Sequence, residues 1–368
     1  MSAFAHALLA DIRRRLVNDS FRYADNDFNY IIYGDLKAVE KDRQALATLP
    51  APSLERIFRE KEKEIGSLIA LNTTLYDMLA DDYSRKTLVT RSAYMVLGHL
   101  FVKFPFYVDD YFQKVNALRE SLRISHPLEH LGEAAFSQPA ELYDLSSAGC
   151  DFTCLSERFT LYTFVYDNLY TYAQGKTHIQ VEKGDYVFDC GAAFCDTALH
   201  FAWKAGTDGR VFSYDPNEKM VSIGRHNLDL NPKYLPCVAL FELGMADRSD
   251  EAAFLLNSVA SRIVRAEKGT RGTASIRTTS IDHEMERLEI PKVDFIKMDI
   301  EGAELAALAG AEKTIRQFKP KLAISMYHKD EDMRDIPQFI DSLGLGYTFY
   351  LKHHSPLIFE TVLYAQPS

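Results

Sequence analysis

The stretch Val293-Asp-Phe-Ile-Lys-Met-Asp-Ile-Glu-Gly-Ala-Glu304 decides how this chain is read. A short apolar strand, predicted over Val293–Met298, brings Asp299 and Glu301 to its end. Gly302 then turns the backbone, and an alanine-rich helix is predicted over Glu304–Gln317. In an open α/β sheet, ligands bind at the carboxyl ends of the strands, so two acids and Lys297 stand where chemistry is done. Outward from this unit, strands and helices alternate, which is the signature of a parallel sheet with crossover helices. Upstream, strands are predicted at Tyr186–Asp189, Arg210–Tyr214 and Val238–Leu243, with helices at Thr197–Ala205 and Glu218–Leu228. Downstream, Lys321–Met326 reads as a fifth strand. A helix around Asp335–Leu343 is expected to carry Pro337 in its first turn. Tyr347–Leu351 and Glu360–Ala365 read as a closing antiparallel pair, and Ala252–Leu256 with Ala274–Arg277 as an extra ribbon.

The first 150 residues carry a different pattern. Leu54, Ile57, Ile65, Leu68 and Ile69 recur at helical spacing, so a helical domain is expected over 1–150, serving acceptor recognition or oligomerisation. A second domain follows over 156–368, joined through the small, polar run 145–156. Leu161–Tyr172 reads as an aromatic-rich helix. A length of 368 residues makes two domains the natural expectation. Lys+Arg is 42 against Asp+Glu 52, a balance of −10 that disfavours a nucleic-acid partner. The five cysteines form no C-x-x-C pair, which fits a reducing, cytoplasmic setting rather than a disulfide framework or zinc site. Apolar residues Ala3 to Ala10 precede Arg13, Arg14 and Arg15, the reverse of a signal peptide. The longest apolar run, Ala93 to Val102, is too short to span a bilayer.

The loop after the first strand, Asp189-Cys-Gly-Ala-Ala-Phe-Cys-Asp-Thr197, lacks the G-x-G-x-x-G pattern of dinucleotide sites, which argues against a nicotinamide dehydrogenase. Gly191 permits a tight turn whose N–H groups can approach a ligand. Asp189 suits a cationic group, such as the amino group of a methionine moiety, and would repel a pyrophosphate. Asp215, at the end of the second strand, can accept hydrogen bonds from ribose hydroxyls. Alone, Asp215-Pro216 reads better as only a helix cap; in register with Asp189 and Gly191, the ribose role is the better reading. The residues expected to hold a cofactor are Asp189, Gly191, Ala192, Ala193, Asp196, Thr197, Asp215, Pro216, Gly244, Ala246 and Asp299.

Asp189-Cys-Gly-Ala192, Asp196-Thr197 and Tyr214-Asp-Pro216, with Thr278-Thr-Ser-Ile-Asp282, Ile296-Lys-Met-Asp-Ile-Glu-Gly-Ala-Glu304, Lys319-Pro-Lys-Leu-Ala-Ile-Ser-Met-Tyr-His-Lys329, Tyr350-Leu-Lys-His-His354 and Glu360-Thr-Val-Leu-Tyr364, make the chain resemble the FkbM family of S-adenosylmethionine-dependent methyltransferases. The resemblance runs from about 180 to 366. It implies a Rossmann-like, mostly parallel sheet of seven strands with a reversed last hairpin. It also implies O-methyl transfer to a hydroxyl, often of a sugar or surface-polysaccharide precursor. Two departures stand out: Cys195 where the family usually has Gly, and Asp215 where it often has Glu. Cys195 reads first as a tolerated small residue, then as a redox liability, then as the mark of a retired site in a non-catalytic scaffold.

Three residues are candidates to assist transfer: Asp299, Glu301 and His328. Histidine has the pKa of a general base near neutrality, against the plainer reading of a loop histidine. Glu301 and Glu304 also compensate the charge of a helix N-terminus, and Glu304 is expected to do only that. Lys297 is expected to pair with a neighbouring acid. Asp299, Glu301 and His328 could hold a divalent metal, although no metal-ligand spacing is present. His353 and His354 could line the acceptor site or a surface turn. Asn231-Pro-Lys-Tyr234 reads as a helix exit. Arg262, Arg265, Lys268 and Arg271 suggest a lid over an anionic acceptor, against the reading of a solvated loop.

Overall fold

The computed structural model describes residues 1–17, 54–99, 101–104, 111–124, 140–255, 262–264, 273–355 and 358–368. Its centre is a sheet of seven strands: β1 Tyr186–Cys190, β2 Arg210–Tyr214, β3 Val238–Phe241, β4 Phe295–Met298, β5 Lys321–Ser325, β6 Tyr347–His353 and β7 Thr361–Pro367. They lie in the order β6-β7-β5-β4-β1-β2-β3. The strands β1 to β5 run parallel, and β7 is antiparallel to both β5 and β6. This is the expected sheet with its reversed last hairpin. Helices cover both faces, so β4 is buried along its whole length and reads as a continuous apolar run apart from Lys297.

Among the crossover helices, α6 (Asp196–Ala205) and α7 (Glu218–Asp229) follow β1 and β2. The helix expected over Glu304–Gln317 is two, α9 (Glu304–Ala309) and α10 (Glu312–Phe318). They part at Gly310, where a Cβ would lie 2.4 Å from the Ala246 carbonyl oxygen. Pro337 sits inside α11 (Asp332–Ser342) rather than in its first turn. Buried Met333, Ile336 and Ile340 hold that helix to the core from its start and carry it past the proline.

The aromatic run is also not one helix. It forms α5 (Arg158–Tyr162) and a wider turn over Thr163–Asp167. Asn168 and Tyr170 then take left-handed conformations (φ 57° and 56°), and Tyr172–Gln174 pairs with Thr177–Ile179. The expected ribbon is present: Asp250–Leu255 pairs antiparallel with Thr273–Thr279 and with Arg262–Val264. Short α8 (Ile281–Arg287) precedes β4. Arg265, Lys268 and Arg271 of the expected basic lid, and the side chain of Arg262, lie outside the described residues.

Of the N-terminal helices α1 (Ala3–Val17), α2 (Leu54–Met78) and α3 (Asp82–Leu97), α3 packs against the edge strand β6, α2 against α11, and α1 against α2 and α3; α4 (Tyr111–Leu122) follows. Phe4, Leu75 and Leu88 share one core with Ile336, Phe349 and Leu351. Ala80 N–H donates to the Phe349 carbonyl at 2.9 Å, and Leu351 N–H to Ser84 Oγ at 2.9 Å. The run 145–156 is no loose link. It completes a hairpin, Glu141–Asp144 with Thr153–Ser156, held by Asn227 (2.7 Å from Leu155 N) and Asn231 (2.9 Å from Thr153 N). Asn231 thus leaves α7 as the sequence reading has it. Among the described residues, no helix is long and apolar enough to cross a membrane.

Candidate functional site

A cavity of about 290 Å³ opens at the carboxyl edge of the sheet. One wall comes from the loops after β1 and β2. Gly191 (φ 86°) turns the chain so tightly that a Cβ there would lie 1.8 Å from the Asp299 carbonyl oxygen. The glycine is therefore required by the neighbouring strand end, not by a ligand. The turn's amides are spent internally. Gly191 and Ala192 N–H donate to the Tyr214 carbonyl at 2.9 and 3.0 Å, and Ala193 N–H donates to Asp215 Oδ2 at 2.9 Å. The expectation that they face a ligand is corrected accordingly.

Asp215 Oδ1 accepts from Asn217 N–H at 2.9 Å, and Asn217 is itself the cap of α7. Asp196 accepts from Ser156 Oγ at 2.9 Å and from Thr197 N–H at 2.8 Å. Burial pushes both carboxyls up to about 6. Ala192, Ala193, Thr197, Pro216 and Gly244 line the cavity as expected. Ala246 does not: its N–H is engaged by the Thr279 carbonyl, and its own carbonyl lies under Gly310.

Asp189 is the main correction. It is fully buried and does not line the cavity. It sits opposite Lys297 across β1 and β4, with Lys297 Nζ 3.1 Å from Oδ1, while Ser213 Oγ, opposite it on β2, donates to Oδ2 at 3.3 Å. Lys297 also donates to the Gly191 carbonyl at 2.6 Å. Burial opposes the lysine's charge, but Asp189 and Asp299 outweigh it and hold Lys297 charged. The expected pairing of Lys297 is therefore present, and it takes the carboxylate that was expected to grip a ligand amine.

The other wall comes from beyond β4, β5 and the start of β7. Asp299 accepts from Tyr170 Oη at 2.8 Å and from Tyr327 Oη at 3.1 Å. Burial opposes its ionisation, but His328, Lys297 and the two hydroxyls hold its carboxyl below the usual range. Glu301 (φ 54°) and Gly302 (φ 92°) form the left-handed turn that starts α9. His328 lies behind this turn, off the cavity lining. Its Nδ1 is 2.8 Å from Glu304 Oε1, and its Nε2 is 3.3 Å from Asp299 and 3.5 Å from Glu301. Burial alone would lower its pKa, but the Glu304 bond and the charges of Asp299, Glu304 and Glu301 push it up to about 9. The imidazolium this favours at neutral pH is the form that cannot accept a proton, which argues against the expected role of general base. Glu304 does more than compensate a helix terminus, because it accepts from Ile300 N–H at 2.9 Å and anchors His328. Asp299, Glu304 and His328 place one potential ligand atom each within 4.8 Å of one another, so the set that could ligate a divalent ion has Glu304 where the sequence named Glu301, and it could do so only after His328 gives up its proton.

His353 and His354 are buried away from the cavity. His353 stacks on Phe104 and bonds to Thr361 Oγ1, while His354 bonds to Asp167 and Tyr364. Cys195 (φ 63°) is buried and off the lining; a Cβ on Gly224 of α7 would lie 3.2 Å from its Sγ. It packs outward and leaves the cavity open. Sequence reading missed Glu157, Tyr170, Tyr327 and Glu360, all of which line the cavity. Burial pushes Glu157 up to about 7. Among the described residues, the lining thus holds six acids (Glu157, Asp196, Asp215, Asp299, Glu301, Glu360) against one cation, Lys297.

Residues 189–349 match the Methyltransferase FkbM domain family. The hexuronic acid methyltransferase AglP of Haloferax volcanii is 25% identical over 167 residues, which is 45% of this chain and 66% of that protein. The crystal structure of an FkbM methyltransferase from Methylobacillus flagellatus superposes with a TM-score of 0.50 at 21% identity, over 83% of this chain and 60% of that one. The match thus spans just under two thirds of each relative's length, and the structural likeness establishes the fold.

Proposed function

Since residues 189–349 match the FkbM methyltransferase family, we propose that the chain is an S-adenosylmethionine-dependent O-methyltransferase acting on a hydroxyl of a sugar or surface-polysaccharide precursor. The observation that carries this reading is the lining of the cavity: six acids and one already paired lysine form a receptor for a cation at the ligand-binding edge of the sheet. When bound, the cofactor supplies an electrophilic methyl group on a positively charged sulfur. Asp215 keeps about two of its roughly four lone-pair positions free for ribose hydroxyls. Asp299, fixed by Tyr170 and Tyr327, stands at the strand end nearest the reacting centre. Holding a hydroxyl in line is the chief task and can lower a barrier by about 7–11 kcal/mol.

The Haloferax relative's action on a hexuronic acid supports a saccharide acceptor. The acidic lining, however, favours a neutral hydroxyl over a carboxylate-bearing sugar. The scaffold reading rested on Cys195, whose side chain faces α7 rather than the cavity. Titration calorimetry tests the cofactor: S-adenosylmethionine should bind, and Asp215→Asn should weaken it about tenfold. Absence of binding at millimolar cofactor removes the enzyme reading. Transfer of labelled methyl to methyl hexosides in preference to hexuronates would support the acceptor class; transfer to neither sugar would remove it.

A further inference from the structure

Glu360 stands immediately before β7, at the edge where the parallel strands end. Its backbone is left-handed (φ 65°), a conformation unfavourable to a non-glycine residue that persists where the surroundings enforce it. His354 N–H donates to its carbonyl at 2.8 Å and closes the turn behind it. The carboxylate faces the cavity. Oε1 takes one long hydrogen bond, 3.4 Å from Tyr327 Oη, the hydroxyl that also bonds Asp299. Oε2 is buried and has no hydrogen-bond partner among the described residues.

Four of the other five acids of the cavity have been claimed; the fifth, Glu157, stands on the opposite wall at the start of α5 and meets neither Tyr327 nor Asp299 in the hydrogen bonds of the site. Asp196 and Asp215 hold backbone amides, and Asp299 and Glu301 face His328. The nearby cations are claimed too, Lys297 by Asp189 and His328 by three carboxylates. The charged and titratable groups around Glu360 are Asp299 and Lys297 from β4 and its end, Tyr327 and His328 from beyond β5, Tyr170 from the turn after α5, and Tyr364 from β7. Burial, then Asp299, push the Glu360 carboxyl up to about 8. An acid so placed lacks its own counter-charge.

We propose that Glu360 is the counter-ion of the cofactor's sulfonium, the residue by which this cavity distinguishes the methyl donor from its demethylated product. The proposal rests on the S-adenosylmethionine reading and names the residue that reads the charge. A sulfonium brings the missing positive charge; the thioether of S-adenosylhomocysteine brings none. The two ligands share the adenosine, amino and carboxylate groups, so their affinity ratio isolates the sulfur.

The test is titration calorimetry at pH 8.5 with both ligands, on the wild-type chain and on Glu360→Gln. The variant should lose about tenfold or more in affinity for S-adenosylmethionine, the effect of removing one opposite charge at a partly buried site. Its affinity for S-adenosylhomocysteine should change less than about twofold. Equal losses for both ligands would assign Glu360 to a shared group such as the amine, and no loss would assign it outside the cofactor site; either result overturns the proposal. Should the variant not fold, the wild-type ratio of the two affinities still decides, since it should climb between pH 7 and pH 8.5, and a flat ratio overturns the assignment. A wild-type chain that binds neither ligand sinks the methyltransferase reading itself.

Discussion

The two walls of the cavity use the same residue type and differ in what claims it. On the wall after β1 and β2, Asp196 and Asp215 accept from backbone N–H groups of the loops they shape. On the wall beyond β4, β5 and β7, Asp299 and Glu360 meet tyrosine hydroxyls and an imidazole. An amide fixed in the backbone cannot turn away from its acceptor, whereas a hydroxyl can rotate to suit a new partner. The first wall is therefore scaffold as much as site, and the second is free to respond to a ligand. Acids that look alike in sequence separate into these roles only when the backbone around them is known.

The strongest way to break this comparison is at the seam between the walls. Lys297→Met leaves Asp189 charged, buried and unpaired, and should cost about 3–5 kcal/mol of stability in urea denaturation. Adding Asp189→Asn should recover most of that loss, because the uncompensated charge is then gone. The same logic implies that Asp189→Ala alone destabilises the fold by stranding Lys297. Gly191→Ala should follow, at about 2–4 kcal/mol, from a side chain forced into a left-handed conformation and into the Asp299 carbonyl. It should also abolish cofactor binding.

The walls themselves are separated by a matched pair of variants. Asp215→Asn on the first wall should cost about 1–2 kcal/mol of stability as well as affinity. Tyr327→Phe on the second should stay within about 1 kcal/mol of wild type in denaturation while weakening cofactor binding. Equal stability losses would erase the distinction.

A smaller effect concerns pH. His328 has its pKa raised in the folded chain, from 6.5 to about 9. Its contribution is therefore fully present below pH 6.5 and is lost as pH rises through 9. The carboxyls of Asp196 and Asp215, raised from 3.8 to about 6, act in a lower window, where ligand-free stability falls as pH rises between those values. Stability curves should thus decline through both windows, and Glu360, raised from 4.5 to about 8, adds to the decline between them. His328→Gln should flatten the upper one between pH 8 and 9, above the titration of Glu360.

Much of the fold was legible because the buried strands announce themselves. Arg210–Tyr214 is read to the residue, and the closing antiparallel pair to within two residues at each end. The errors fall where local pattern and tertiary contact disagree. Gly310 breaks a helix that periodicity would continue, because a carbonyl presses on it. The aromatic run at 161–172 unwinds and turns Tyr170 onto Asp299. Asp189 was read as a ligand grip because strand register is invisible in one dimension, and register is what sets it opposite Lys297. Tyr327 was within reach of sequence reading, since it adjoins His328 at the end of a strand. Glu360 was not, because nothing local distinguishes it from any acid that begins a strand.

The central claim is that a cationic adenosyl cofactor occupies the acid-lined cavity at the strand ends. A crystal structure of the complex with S-adenosylhomocysteine tests it most directly. The account predicts the ribose hydroxyls within hydrogen-bonding distance of Asp215 and the sulfur facing the Asp299–Tyr327–Glu360 group. Ligand bound elsewhere, or a cavity closed by its own side chains with Asp215 turned from the ribose, would contradict it.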